Sequence, residues 1–285
     1  MGSQPVPTPV TPAGKAGMAA LLTEPKRAVV ALDFDGTLAP IVADPEQARA
    51  HPRAVPVLSR LAPRVASVVV ITGRPAGVAV RYGGFAGVPG LENLVVLGHY
   101  GAERWDAVSG EVRGPGDDPG VLAVRAELPG FLERLGAWRD TWVETAHIEH
   151  KGGRAVAVHT RRTDDPNAAL EALRGPLTEL AHKHGLIVEP GRMVLELRPP
   201  GMDKGVALAS YVRETGAGAV LYAGDDLGDL AAFDAVEELR AEGVPGVLVC
   251  SGSNEVAELA ARADLVVDGP EGVVELLAAL ADALA

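Results

Sequence analysis

Apolar residues in this chain come in short unbroken runs separated by amphipathic or polar stretches. The runs "RAVVALD" (27–33), "VASVVVITG" (65–73), "NLVVLGHYG" (93–101), "AVLYAGDD" (219–226), "GVLVCSG" (246–252) and "ADLVVDG" (263–269) are short and dominated by valine and leucine. Such runs predict parallel strands covered by helices on both faces. Between them lie helical patterns: residues 53–62 place Val57, Leu58 and Leu61 on one side. Residues 203–214 start at Asp203, a candidate N-cap, and carry Val206, Ala207, Leu208, Tyr211 and Val212. The alternation predicts an α/β fold, a doubly wound Rossmann-like parallel sheet.

The rhythm breaks in the middle. "DAVSGEVRGPGDDPG" (106–120) is polar and rich in glycine, and a helix is expected over about 120–139. Strand-like "TWVETAHIEH" (141–150) and "RAVAVHTRR" (154–162) follow, then a helix over 166–184, then "GLIVEP" (185–190) and "RMVLELRP" (192–199). Four antiparallel strands with two helices describe an inserted α+β cap. The expected division is a disordered proline-rich tail over 1–24, with a short helix near Met18 to Leu22 at its end. A core in two parts, 25–108 and 198–285, then flanks the cap at 109–197.

Composition narrows the chemistry. Lys plus Arg number 26 and Asp plus Glu 38, a formal charge of −12 over 285 residues. That opposes nucleic-acid and anionic-membrane partners. One cysteine, Cys250, reads as a buried strand thiol in a reducing cytoplasm. The start shows no basic and apolar signal regions. Its Met-Gly resembles a myristoylation signal, but Val6 stands where Ser or Thr is wanted.

Ligands of open α/β sheets bind beyond the carboxyl ends of the strands. Polar residues directly after apolar runs are Asp33, Asp35, Thr72, Asp225, Asp226 and Asp229. Carboxylates crowded at one edge repel unless a cation neutralises them, and hard oxygen donors suit Mg2+. Lys204, in the first turn of a helix, is poorly placed for the dipole and well placed for an anion site. His182 and His184, two residues apart, point away from each other and read as helix-end cations rather than metal ligands. Trp138 and Trp142 read as buried under the cap helix more than as sugar platforms.

"DFDGTL", "VITGRP", "DKG" and "GDDLGD", in that order, resemble the four motifs of the haloacid dehalogenase phosphatase superfamily. "IEHKGGRAVAVHTRR", "GHYGAE" and "VLELRPPGMDKG" are similar to the trehalose-6-phosphate phosphatase family within it. The resemblance implies Asp33 as nucleophile forming an aspartyl-phosphate, Asp35 as general acid and base, and Thr72 and Lys204 holding the phosphoryl group. It implies substrate contacts from Gly73, Arg74 and His99. From the cap, Glu149, Lys151, His159, Arg161 and Glu196 would bind the sugar. It also implies Mg2+ near Asp33, Asp35 and Asp225, with Asp226 and Asp229 as water-mediated ligands or anchors. Gly228 and Leu230 depart from the family's Thr and Glu and bear on the metal's support. The implied substrate is a sugar phosphate, trehalose 6-phosphate. Sucrose phosphate, mannosylglycerate phosphate and a non-catalytic sugar-phosphate sensor remain as alternatives. Oligomeric state is left undetermined. A two-residue turn at Gly152-Gly153 would set Glu149 and Lys151 opposite His159 and Arg161, whereas a longer turn would unite them.

Overall fold

Valine, branched at Cβ, is stiff at χ1, and apolar runs bury both faces most readily when flanked by strands and covered by helices; the structure follows that rule. It is a computed structural model, describing residues 5–135, 146–191, 193–201, 203–252 and 257–285. Trp138, Trp142 and the outer parts of the expected 120–139 helix and 141–150 strand lie outside these. Strands run β1 Ala28–Leu32, β2 Ser67–Ile71, β3 Leu94–Gly98, β4 Glu103–Asp106, β5 Val112–Arg113, β6 His147–Lys151, β7 Ala155–His159, β8 Ile187–Gly191, β9 Val194–Arg198, β10 Ala219–Gly224, β11 Gly246–Gly252 and β12 Leu265–Asp268. Helices run α1 Pro12–Thr23, α2 Ala54–Leu61, α3 Ala76–Gly83, α4 Pro119–Arg134, α5 Pro166–Lys183, α6 Lys204–Thr215, α7 Leu230–Ala241, α8 Ala257–Arg262 and α9 Gly269–Ala283.

The chain divides into two units, Met1–Gly114 with Asp203–Ala285, and Pro115–Met202. The larger carries a sheet in the order β12-β11-β10-β1-β2-β3-β4-β5, parallel from β12 to β3 and antiparallel at the β3-β4 and β4-β5 pairs. Period-2 alternation sorts its residues: Val30, Leu32, Val68, Val70 and Leu221 join one core with residues of α1, α2 and α9. Val29, Ala31, Val69, Ile71 and Tyr222 join another with α6, α7 and α8. The chain leaves β1 toward β2 on one side and adds β10 on the other, so the order reverses at β1. Leu32 is level with both Val70 and Ala223, which brings the ends of three strands together.

Two expectations are corrected in this unit. The predicted tail of residues 1–24 contains helix α1, whose N-cap Thr11 accepts the N–H of Gly14 at 2.9 Å, with Pro12 at the first helical position. Its proline content marks a helix start. The helix is anchored to the core: Val10 N–H donates to Asp264 O at 2.8 Å, the Thr11 hydroxyl donates to the Asp264 carboxylate, and Leu21 and Met18 are buried. Gly17 lies so near the Gly246 carbonyl that any Cβ would collide with it. The polar 106–120 stretch yields β5, which pairs with β4 at the sheet edge. The unit boundary therefore falls at 114, past the expected 108, and the return into the larger unit is at Asp203, past the expected 198.

The smaller unit is one antiparallel sheet, order β6-β7-β9-β8. Val156, Val158, Leu195 and Leu197 face Val121, Val124 and Leu128 of α4 and Leu173, Leu177 and Leu180 of α5. At the helix ends, His184 Nε2 and Lys183 Nζ lie 2.9 and 2.8 Å from the Glu127 carboxylate. The opposite face of this sheet carries the polar residues described next.

Candidate active site

In the larger unit, backbone geometry delivers carboxylates to the strand ends. Asp33 N–H donates to Ala223 O at 2.9 Å, which continues the β1-β10 ladder by one residue and places the Asp33 side chain beyond it. Gly36 then turns the chain at φ +82°, and a Cβ there would collide with the Asp225 carboxylate, so only glycine lets the two loops close on each other. Thr72 ends β2 buried, and its Oγ1 accepts the Arg74 N–H at 3.2 Å. The His99-Tyr100 backbone, left-handed at both residues, docks on this loop: His99 N–H to Arg74 O at 2.9 Å, Tyr100 N–H to Thr72 O at 3.0 Å. Gly73 sits against the Tyr100 ring, and buried His99 has Nε2 3.7 Å from Glu103.

Lys204 follows the N-cap Asp203, whose carboxylate accepts the Val206 N–H at 2.8 Å. Its buried Nζ donates to Asp33 Oδ1 and Asp229 Oδ1, both at 2.7 Å. Burial opposes the charge on Lys204, but Asp229 and Asp33 outweigh it and hold the ammonium well above its ordinary value. Burial likewise raises the Asp229 carboxyl, yet Lys204 and the hydrogen bonds it receives bring it below the usual range. Among the described residues no lysine or arginine is hydrogen-bonded to Asp225, although the Lys204 charge reaches it. Burial, then the charge of Asp33, pushes it up to about 10, and Asp33 is itself raised, chiefly by burial.

Carboxylate oxygens of Asp33, Asp225 and Asp229 lie within 4.8 Å of one another, an arrangement that could hold a metal ion. Asp229 is the exception within it. Its Oδ1 accepts from Lys204 and from the Tyr222 hydroxyl at 2.6 Å, and its Oδ2 accepts the N–H groups of Asp225 and Asp226 at 2.9 and 3.1 Å. A carboxylate offers about four lone-pair sites, and all are used. Asp33 and Asp225, hard oxygen donors raised first by burial and then by neighbouring carboxylates, fit a divalent cation, whereas Asp229 fits an anchor. Asp226 caps the following turn through Gly228 N–H at 2.9 Å. Leu230, where the family has Glu, packs on the core. Tyr222 was not foreseen, since in a strand of apolar residues an aromatic reads as core. Nor was Ser251, whose hydroxyl donates to Gly36 O at 2.7 Å and fixes that turn. Cys250 is buried as expected, its thiol pushed up to about 11 by burial.

In the smaller unit the turn is three residues long: Lys151 pairs with Ala155, Glu149 with Ala157 and His147 with His159. Directly paired residues share a face, so Glu149, Lys151 and His159 stand together. Glu196, paired with Ala157 from the other side, joins them. His159 Nε2 lies 2.7 Å from Glu149, and Lys151 donates to Glu196 Oε2. Glu196 is 4% exposed, and its Oε1 has no hydrogen-bond partner among the described residues. Arg161 lies past the end of β7, in the turn before α5.

A family model described as trehalose-phosphatase matches residues 31–111 and 138–267. The chain is 36% identical over 266 residues to a trehalose-phosphate phosphatase of Mycobacterium avium (strain 104). The match covers 90% of this chain and 62% of that protein, so the chain spans under two thirds of that relative. Its fold matches the C-terminal domain of Candida albicans trehalose-6-phosphate phosphatase, with a TM-score of 0.75 at 23% identity, over 98% of this chain and 99% of that one. A haloacid dehalogenase-like hydrolase from Bacteroides thetaiotaomicron matches at a TM-score of 0.57 and 18% identity, over 88% and 98%. With the haloacid dehalogenase fold and the family pattern both in place, the chain belongs to the trehalose-phosphatase family.

Proposed function

We propose that the chain hydrolyses the phosphate ester of trehalose 6-phosphate, releasing trehalose and phosphate. The observation that carries the reading is the buried Asp33–Lys204 pair at a strand end, beside Asp225 and Thr72. Lys204 holds Asp33 Oδ1, which leaves Oδ2 to attack the phosphorus. As that oxygen–phosphorus bond forms, the ester's phosphorus–oxygen bond breaks, and the departing sugar oxygen takes a proton from Asp35. A water molecule then gives a proton to Asp35 and its oxygen to the phosphorus, which breaks the Asp33 acyl phosphate and frees phosphate. Thr72 and Lys204 hold the equatorial oxygens, where charge is largest. Asp33 and Asp225 would hold Mg2+, which when bound neutralises the crowded carboxylates and the phosphate charge.

The smaller unit's polar face supplies the sugar contacts. A buried carboxylate oxygen without a donor costs about 1–3 kcal/mol, and a sugar hydroxyl relieves it. Glu196 Oε1 is such an atom. Family membership and the M. avium relative support the substrate. A phosphate-release screen over sugar phosphates, with and without Mg2+, tests the reading. It predicts trehalose 6-phosphate as the best substrate and no turnover in chelator. A preference for sucrose phosphate or mannosylglycerate phosphate would overturn the sugar assignment, and no release from any ester would overturn the enzyme.

A further inference from the structure

Arg74 reads from the sequence as a substrate-binding residue, yet its guanidinium is forked onto Asp35. Nε donates to Oδ2 at 2.6 Å and Nη2 to Oδ1 at 2.7 Å. The arginine is 8% exposed, and its guanidinium carbon lies 5.9 Å from the Phe34 ring centre and 5.3 Å from that of Tyr82. Its backbone is held on both sides, N–H to Thr72 Oγ1 and carbonyl from His99 N–H. A planar fork specifies carboxylate orientation as no lysine can. Asp35 needs that help, because its own side chain is a third exposed at the strand end.

We propose that Arg74 is a positioning residue for the acid–base step rather than a sugar or phosphate ligand. The fork takes one lone pair from each Asp35 oxygen and fixes the carboxyl in one rotamer, which leaves the other lone pairs to meet the leaving group. In that step the ester's phosphorus–oxygen bond breaks, the departing oxygen keeps both electrons, and the Asp35 proton neutralises it. An unforked Asp35 would still carry the proton but would spend little time in line with that oxygen. The inference rests on the phosphomonoester-hydrolase reading, and not on which sugar is bound.

The test compares two sugar-free esters on the full chain with Mg2+. Phenyl phosphate has a strongly basic leaving group that needs a proton. 4-Nitrophenyl phosphate has a weakly basic one that leaves without it. General acid help is worth about 10²- to 10⁴-fold, so Arg74→Gln is expected to lower kcat/KM on phenyl phosphate by about 10², and on 4-nitrophenyl phosphate at least tenfold less; kcat/KM reports the steps up to departure of the leaving group and not the later water attack, which Asp35 serves alike for both esters. Arg74→Lys, a cation without a fork, follows Gln. In an Asp35→Asn background, Arg74→Gln costs nothing further, because the group it acts through is gone. A folded variant whose kcat/KM falls in equal proportion on both esters overturns the inference. So does a lysine that restores full activity, or losses that multiply in the Asp35→Asn background. Should Arg74→Gln not fold, Arg74→Lys carries the same comparison. A wild-type chain that hydrolyses neither ester overturns the phosphatase reading itself.

Discussion

The two units handle their carboxylates in opposite ways. In the larger, Asp33, Asp225 and Asp229 converge, and Lys204 is the cation that meets them directly, bonded to Asp33 and Asp229. Asp225 is left pushed up to about 10. In the smaller, two acids of the strand face meet basic side chains: Glu149 with His159, Glu196 with Lys151. Unbalanced charge in a buried site suits a metal and a phosphate. Hydrogen-bonded acidic and basic side chains on a strand face suit a neutral polyol, whose hydroxyls both donate and accept. On the proposed function, the chemistry belongs to the larger unit and the sugar recognition to the smaller.

The largest expected effect breaks the chemistry alone. Asp33→Asn removes the nucleophile with almost no change of shape, so turnover of sugar and aryl phosphates should fall by at least about 10³-fold while circular dichroism stays native. Activity near wild type would end the aspartyl-phosphate mechanism. Next is Lys204→Met, which strips the cation from two buried carboxylates. Breaking a buried pair in this way costs about 3–5 kcal/mol, which urea unfolding at neutral pH measures. A loss under about 1 kcal/mol would mean that the carboxylates are not held by it.

The smallest effect concerns pH. Burial, and then the charge of Asp33, pushes the Asp225 carboxyl up to about 10 from an ordinary 3.8. A raised carboxyl contributes stability fully below its unfolded value and loses it as pH rises through the folded one. Without metal, this group therefore destabilises the fold progressively from about pH 4 toward pH 10. Asp229, lowered, has the opposite sign, its contribution being lost as pH falls, and it does not bind the metal in this account. The rise in melting temperature on adding Mg2+ should grow by a few degrees between pH 5 and pH 8. A rise that is flat or shrinks over that range would remove Asp225 from the metal site.

Reading the chain in advance worked where residue identity alone carries position. An apolar run that stops at aspartate places that aspartate at a strand's carboxyl end, so Asp33, Thr72 and Asp225 were legible. Lys204 was legible through its misfit with the helix dipole. Residues whose role depends on a partner far along the chain were not. Tyr222 looks like core until the turn holding Asp229 folds back under its hydroxyl. Arg74 reads as a substrate contact, and its fork on Asp35 is visible only in the structure. In the smaller unit, the residue types were readable but the register was not. One extra turn residue, Arg154, decides whether Glu149 and His159 meet. Of helix α1 only the end near Met18 to Leu22 was foreseen, because Thr11-Pro12, a cap and first-turn pair, stands in a proline-rich stretch that resembles a tail.

The division of labour is tested most directly by selectivity. Glu149→Ala, Lys151→Ala and Glu196→Ala each remove a charged hydrogen-bonding group worth about 1.5–3 kcal/mol, or about ten- to a hundredfold in kcat/KM. Measured side by side, each variant should lose that factor on trehalose 6-phosphate and keep hydrolysis of 4-nitrophenyl phosphate within about threefold of wild type, since the aryl ester has no sugar to grip. Equal losses on the two esters, or full activity on the disaccharide phosphate, would contradict the assignment of recognition to the smaller unit.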